Sequence, residues 1–331
     1  MPKNKKPTEF STIGKQNALA SLFEGCGFKN EKVINVEKGE AVVSHKVMLE
    51  GVNFDLTYTP LKHLGYKAAL YVIGEIYTSF RNPDSLQIII GISNRFSFED
   101  IRDLWEGMTA AAKEHSVKHV GLDLIPSSVG LVISLTATGT QKKAVMANVE
   151  DPKNMDLIVV SGNLGAAYMG YHVLEREKVA FNGSGKQPDL TKYKYVVGQY
   201  LSPEIKTGLV GRFIEAGIFP GYGLFVTNGL AAAVKTLTAE SGLGAKIYVS
   251  KLPISSKTFE MAEELSIDAI TAVMNGGDDF RLMFTIPIAC HEVFRKEFQE
   301  FDVVGHLARP EAGALLVTPD GAELEIKAPG F

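Results

Sequence analysis

Apolar positions along the chain recur with two periods, and the switches between them mark out helices and strands. In "EDIRDLWEGMTAAAKEH" (99–115), Ile101, Leu104, Trp105 and Met108 fall three or four residues apart, which predicts an amphipathic helix resting on a sheet, with Ser97 as its N-cap. "GLVISLTATG" (130–139) is short and β-branched and predicts a strand, as does the apolar run "LIVVSG" (157–162). "SPEIKTGLVGRFIEAG" (202–217) predicts a helix capped by Ser202, with Pro203 in its first turn and Gly217 as its stop. "GLAAAVKTLTAES" (229–241) predicts another, with Asn228 as N-cap and Leu230, Val234 and Leu237 on one face. "LLVTPDGAELEIKA" (315–328) alternates around a Pro-Asp-Gly turn and predicts a hairpin, while "NGSGKQPDL" (182–190) reads as a loop.

The polar, proline-containing stretch "ANVEDPKNMD" near residue 150 interrupts this pattern. It predicts two domains, 1–150 and 151–331. With 331 residues, 45% hydrophobic and 22% charged, the chain can bury a sizeable core. A net charge of −4 offers no general attraction to nucleic acid or anionic lipid, so neither is expected as a partner. The basic cluster "PKNKK" (2–6) lacks the apolar core of a signal peptide, and no apolar run reaches the roughly 18–20 residues that span a bilayer. The expected compartment is the cytoplasm. Cys26 and Cys290 are too few for a disulfide framework.

Familiar motifs fail on inspection. "GSGKQ" (183–187) has Ala180 and Gln187 where a phosphate-binding loop needs glycine and Ser or Thr. "GYGLFV" (221–226) lacks the third glycine of a dinucleotide fingerprint, and "SGLGAK" (241–246) follows a helix rather than a strand. No HExxH pair and no Gly-x-Ser-x-Gly elbow is present.

Four segments taken in order do carry a resemblance: "LEGVNFDLTYTPLKHLGYKAA" (49–69), "VSGNLGAAYMGYHVLEREK" (160–178), "NGGDDFRLMFTIP" (275–287) and "VGHLARPEAGALLVTPDG" (304–321). Together they resemble the thiamine-monophosphate kinase family, whose fold is shared with aminoimidazole-ribonucleotide synthetase. The resemblance implies an N-terminal α/β domain whose sheet forms a barrel across a dimer, and a C-terminal α+β domain. It also implies ATP and thiamine monophosphate in the cleft between the domains, bridged by magnesium ions on scattered aspartates. The reaction would pass the γ-phosphoryl group to a phosphate oxygen already ionised, so charge neutralisation is the main catalytic demand.

The sequence departs from that family at the acids. An early Gly-Asp-Asp is absent from "VINVEKGEAVVSHK" (33–46), and the Thr-Asp position matches His45 and Lys46. Lys46 is either a solvated strand-end residue or a cation standing in for a metal charge. The Asn-x-Ser-Asp position matches Val72, Gly74 and Glu75, leaving Glu75 as a metal ligand on a longer arm or as a surface or capping residue. "GLDL" (121–124) keeps Asp123, the best remaining metal and catalytic candidate, beside Gly121. "FVTNGL" (225–230) replaces two acids by Phe225 and Asn228. By resemblance Gly121, Asp123, Gly162, Asn228 and Gly229 fall on the nucleotide side, and Asp278, Asp279, Phe280 and Arg281 on the substrate side.

Among Lys46, Glu75, Asp123, Phe225 and Asn228, only Glu75 and Asp123 are carboxylates. The reading this favours is a kinase-family protein that has lost its metal cage and binds a nucleotide, phosphate ester or partner. Two alternatives stay open. One is a working kinase that uses fewer metals with Lys46 and Arg281 supplying charge. The other is a structural partner of an active relative, so the dimer is expected to be a homodimer or a heterodimer.

Overall fold

A computed structural model of the chain describes residues 33–328, apart from 37–38 and 186–187. The basic cluster at 2–6, Cys26, and Lys186 and Gln187 of the rejected phosphate loop lie outside the described residues.

The first sheet has five strands in the order β1-β2-β5-β3-β4, with β1 Val33–Val36, β2 Gly39–Leu49, β3 Asn82–Ile92, β4 His119–Pro126 and β5 Val132–Lys142. All its pairings are antiparallel except β3 with β4. Leu86, Ile88 and Ile90 of β3 and Ile133, Leu135 and Ala137 of β5 are buried on one face. Helices α1 (Leu61–Thr78) and α2 (Phe98–Glu114) supply the apolar side chains that meet them, Leu64, Ile73, Leu104 and Met108 among them. The other face exposes Val47, Leu49, Ile89 and Ile125, and the edge strand β4 is exposed along its length.

The expected helix over 99–115 is α2. Ser97 caps it in a reciprocal capping box with Asp100, and Ile101, Leu104 and Met108 are buried. It crosses α1 at two glycines. A Cβ on Gly65 would stand 2.0 Å from the Leu104 carbonyl oxygen, and one on Gly107 would stand 1.9 Å from that of Lys62. Backbone therefore touches backbone where the helices cross.

The second sheet has seven strands in the order β12-β11-β8-β10-β6-β9-β7. They are β6 Leu157–Ser161, β7 Tyr222–Val226, β8 Gly244–Tyr248, β9 Arg281–Ile286, β10 Phe301–Ala308, β11 Ala314–Val317 and β12 Glu323–Glu325. Its central strands are buried on both faces, which is why they read as continuous apolar runs. In β6, Val159 joins the core shared with the first sheet, while Ile158 and Val160 face the core around Leu230, Val234 and Leu237. The remaining helices used below are α3 Ala166–Ser184, α4 Lys194–Leu201, α5 Leu209–Glu215, α6 Leu230–Ser241, α7 Ser256–Leu265 and α8 Ala269–Asn275. The expected C-terminal hairpin is the antiparallel pair β11 and β12.

Three local expectations need correction. The helix expected over 202–217 is only α5, because Gly208 adopts φ 70° just ahead of it and Ser202 instead closes α4, donating its N–H to the Gly198 carbonyl. Asn228 does not cap α6; Gly229 takes that place at φ 84°, where a Cβ would stand 2.4 Å from the Met274 oxygen. The expected loop at 182–190 begins late, since α3 continues through Ser184 and stops at the left-handed Gly185.

Gly107→Ala should destabilise the protein by about 1–3 kcal/mol by forcing α1 and α2 apart, measured as a lower midpoint in urea unfolding.

Candidate functional site

The loop after β2, the middle of α1, the first turns of α3, the end of α4 and the loop "NGGDDF" converge on a cleft of about 460 Å³. Five tyrosines line it: Tyr58, Tyr71, Tyr168, Tyr171 and Tyr200. Its charged lining is Lys46 and Lys178 against Asp55, Glu175 and Asp278.

The loop is held by one buried cation. Lys67 projects from an otherwise apolar face of α1 and is 3% exposed, so its ammonium must find partners inside the protein. Its Nζ donates to Asp278 Oδ2 at 3.0 Å and to the Tyr200 carbonyl at 2.8 Å, and lies 3.7 Å from the centroid of the Tyr200 ring. Burial pushes the Lys67 amine downward, and the Asp278 carboxylate pulls it back up. The Tyr71 hydroxyl, one turn along α1, donates to Asp278 Oδ1, and burial beside that carboxylate pushes the phenol well up. Both oxygens of Asp278 are thereby engaged.

The next three residues point inward. Asp279 is buried and accepts backbone N–H groups from Gly165 at 2.8 Å and Ala167 at 3.3 Å, at the start of α3. Burial raises its carboxyl to about 6, against the lowering effect of those N–H groups and of Arg281. Phe280 is 1% exposed and meets the Tyr71 and Phe225 rings edge-on, at 4.5 and 5.4 Å between centroids. Arg281 donates to the Asn163 carbonyl at 2.8 Å and to Gln199, against Gly162. The sequence pointed all four toward a ligand; only Asp278 lines the cleft.

The other expected site residues divide between three places. Lys46 and Asn228 line the cleft, and the Lys46 ammonium lies 4.6 Å from the Tyr71 ring centroid. Gly229 is fixed behind them by its close approach to α8. Glu75 instead borders a neighbouring cavity, where it accepts the Ser44 hydroxyl at 2.6 Å. Asp123 and Gly121 stand on the edge strand β4, and register with Ile89 and Gln87 puts them on the sheet face turned away from α1. Asp123 accepts the Leu124 N–H at 2.9 Å. Three strand spacings, roughly 14 Å, separate its strand from the one carrying Ser44.

Phe225 divides the two cavities. Its ring lies against Gly74, where an added Cβ would come within 2.3 Å of Cζ. Tyr71, Phe280 and Phe225 thus form a wall of rings in edge-to-face contact.

Sequence reasoning missed Lys67, Tyr71, Lys178 and the other tyrosines. One signal was there to find: Lys67 and Tyr71 stand four apart in "HLGYKAALYVIG", a segment otherwise too apolar to place a lysine without a buried partner. Lys178 pairs with Asp55 at 2.8 Å and with Glu175 at 3.1 Å, and Tyr58 donates to Glu175 at 2.6 Å, fastening the loop after β2 onto α3. No local pattern reports that contact.

Comparison with known proteins shows what the chain is similar to. The model of "AIR synthase related protein, N-terminal domain" matches residues 28–141. The thiamine-monophosphate kinase of Bacillus subtilis (strain 168) is 24% identical over 297 residues, covering 88% of this chain and 87% of that one. Along most of its length the chain is similar to thiamine-monophosphate kinases. The solved structure of AaThiL complexed with AMPPCP and TMP superposes with a TM-score of 0.81 at 19% identity, covering 98% of both chains. Escherichia coli HypE, a hydrogenase maturation protein, gives a TM-score of 0.66 at 16% identity, covering 96% of this chain and 98% of that one. The shared fold is the AIR-synthase-like α/β architecture with two sheets.

A magnesium cluster of the kind expected from the thiamine-monophosphate kinase family does not fit the residues present. Among the described residues no three His, Cys, Asp or Glu side chains gather where they could hold a metal. Each carboxylate of the cleft already has partners: Asp278 has Lys67 and Tyr71, and Asp55 and Glu175 share Lys178.

Lys67→Met should cost about 2–4 kcal/mol, because it leaves Asp278 partly buried without its cation. The double variant Lys67→Met/Asp278→Asn should recover a large part of that loss in a double-mutant cycle of unfolding free energies.

Proposed function

We propose that this chain is a member of the thiamine-monophosphate kinase family that binds a nucleotide or a small phosphate ester in its tyrosine-lined cleft and does not transfer phosphoryl groups at a useful rate. The observation that carries the reading is the Phe225 ring packed on Gly74, at a position where the family resemblance expects a metal-binding acid. Phosphoryl transfer brings two polyanions together, and without metal ions the charge must be met by protein cations. The lysines near the cleft are largely committed: Lys67 to Asp278, and Lys178 to Asp55 and Glu175. Rings and hydroxyls remain, and they suit a flat heterocycle held by stacking and by cation–π contact.

Loss of the metal cage removes about 4–7 kcal/mol of transition-state stabilisation, a rate drop of roughly 10³- to 10⁵-fold. In a single-turnover assay with protein in excess over thiamine monophosphate, ATP and magnesium, thiamine diphosphate should therefore form at least roughly 10³-fold more slowly than with the Bacillus subtilis thiamine-monophosphate kinase assayed alongside. Product formed at a comparable rate and lost in Lys46→Ala would establish the other reading, a kinase that uses Lys46 as its phosphate clamp.

The same reading makes the chain a dimer. Val47, Leu49, Ile89 and Ile125 form an apolar outer face on the five-stranded sheet, which a second sheet would cover as a barrel across the dimer. Light scattering should give twice the 35.9 kDa chain mass, and Ile89→Lys should return the monomer.

A further inference from the structure

Among the described residues, two buried polar atoms without partners share one cavity far from the cleft. A cavity of about 530 Å³ opens where the end of β5, the start of β3 and the end of α2 meet the segment leading into α5. It stands at the opposite end of the first sheet: Lys142 pairs with Gly39 at the start of β2, seven residues from Lys46, or roughly 24 Å along the strand.

Two buried nitrogen atoms at this cavity have no hydrogen-bond partner among the described residues, His115 Nε2 and Gln141 Nε2. The orientation of each group is set by its other end. Gln141 Oε1 accepts the Lys142 N–H at 2.9 Å, which fixes the carbonyl side of the amide and leaves its NH₂ as the unused donor. The His115 ring is 2% exposed, and its Nδ1 lies 3.1 Å from the Tyr77 hydroxyl. With that hydroxyl donating to Nδ1, the ring proton sits on Nε2, a second unused donor. Burial lowers the affinity of the ring for a further proton, so it serves as a neutral donor.

The remaining lining has the same bias. Lys142 contributes a cation, and Asn82 and Thr207 contribute an amide and a hydroxyl. The one carboxylate of the lining, Asp84, is occupied by Lys118 at 2.9 Å. Orphaned donors beside an ammonium form an environment that an oxyanion satisfies and a cation does not.

We propose that this cavity is a second ligand site, separate from the cleft, which takes a small molecule bearing a phosphate-type oxyanion. His115 and Gln141 supply neutral donors and Lys142 the charge. Thr207 belongs to the segment that leads into α5, so an occupant touches both halves of the chain.

The test uses the full-length protein labelled with ¹⁵N-histidine and titrated with inorganic phosphate at constant ionic strength, chloride serving as the matched control. The His115 ring signal should shift saturably with phosphate and not with chloride. Gln141→Met and Lys142→Met, both at the mouth of the sheet rather than in its core, should each weaken the apparent affinity about tenfold. A His115 signal that does not move, one that moves equally with chloride, or unchanged affinity in both variants would overturn the proposal. Because the readout is one ring remote from the cleft, none of these outcomes bears on whether the cleft transfers phosphoryl groups.

Discussion

The buried ammonium of Lys67 fastens the two halves of the molecule together. It belongs to α1, the central helix of the first half, yet its partners are Asp278 and the Tyr200 carbonyl of the second. A cation at that depth is tolerable only when all its contacts are made, so the positions of α4 and of the "NGGDDF" loop are set by one side chain. The loop shows the consequence in its backbone. Asp278 and Phe280 both take positive φ, 63° and 54°, a conformation that costs non-glycine residues and persists where surrounding contacts over-determine it. Lys67 and Tyr71 hold the first of these residues, and the Tyr71 and Phe225 rings hold the second.

That constraint shapes what the cleft can offer a ligand. Asp278 is turned toward the cleft but spent on Lys67 and Tyr71, while Asp279 is turned away and spent on the first turn of α3, where its carboxylate suits the positive end of the helix. Two adjacent acids in sequence thus become two structural anchors in space. The surface left for recognition is the tyrosine lining, which provides apolar faces with polar rims. Such a lining offers shape and stacking surfaces.

Much of the architecture was legible because local chemistry and tertiary packing agree there. Ser97 reads as a cap and caps; Leu230, Val234 and Leu237 read as one face and are buried as one. Reading failed where a glycine or a distant contact decides. Gly208 and Gly229 take positive φ and move helix starts away from Ser202 and Asn228, residues with ordinary capping chemistry. The site was harder still. Its order in sequence was clear, but of the two acids retained by resemblance Asp123 stands on the edge strand β4 and Glu75 on helix α1 beside β2, and the groups that shape the cleft are a lysine and tyrosines whose partners lie more than a hundred residues away.

Gly74 and Phe225 bear most directly on whether the cleft is a damaged enzyme site or a settled structure. Deleting an acid alone would leave a polar void, with neighbouring groups unpaired and packing incomplete. Here the ring fills the space, and it fits only because position 74 carries no Cβ. Phe280 closes over it with an edge-to-face contact. The resemblance expects polar groups at both positions, whereas here a small residue and a large one pack together as a matched pair. A matched pair keeps the core at interior density, which deletion of an acid alone does not do. The wall between the two cavities is therefore packed structure and not a polar void.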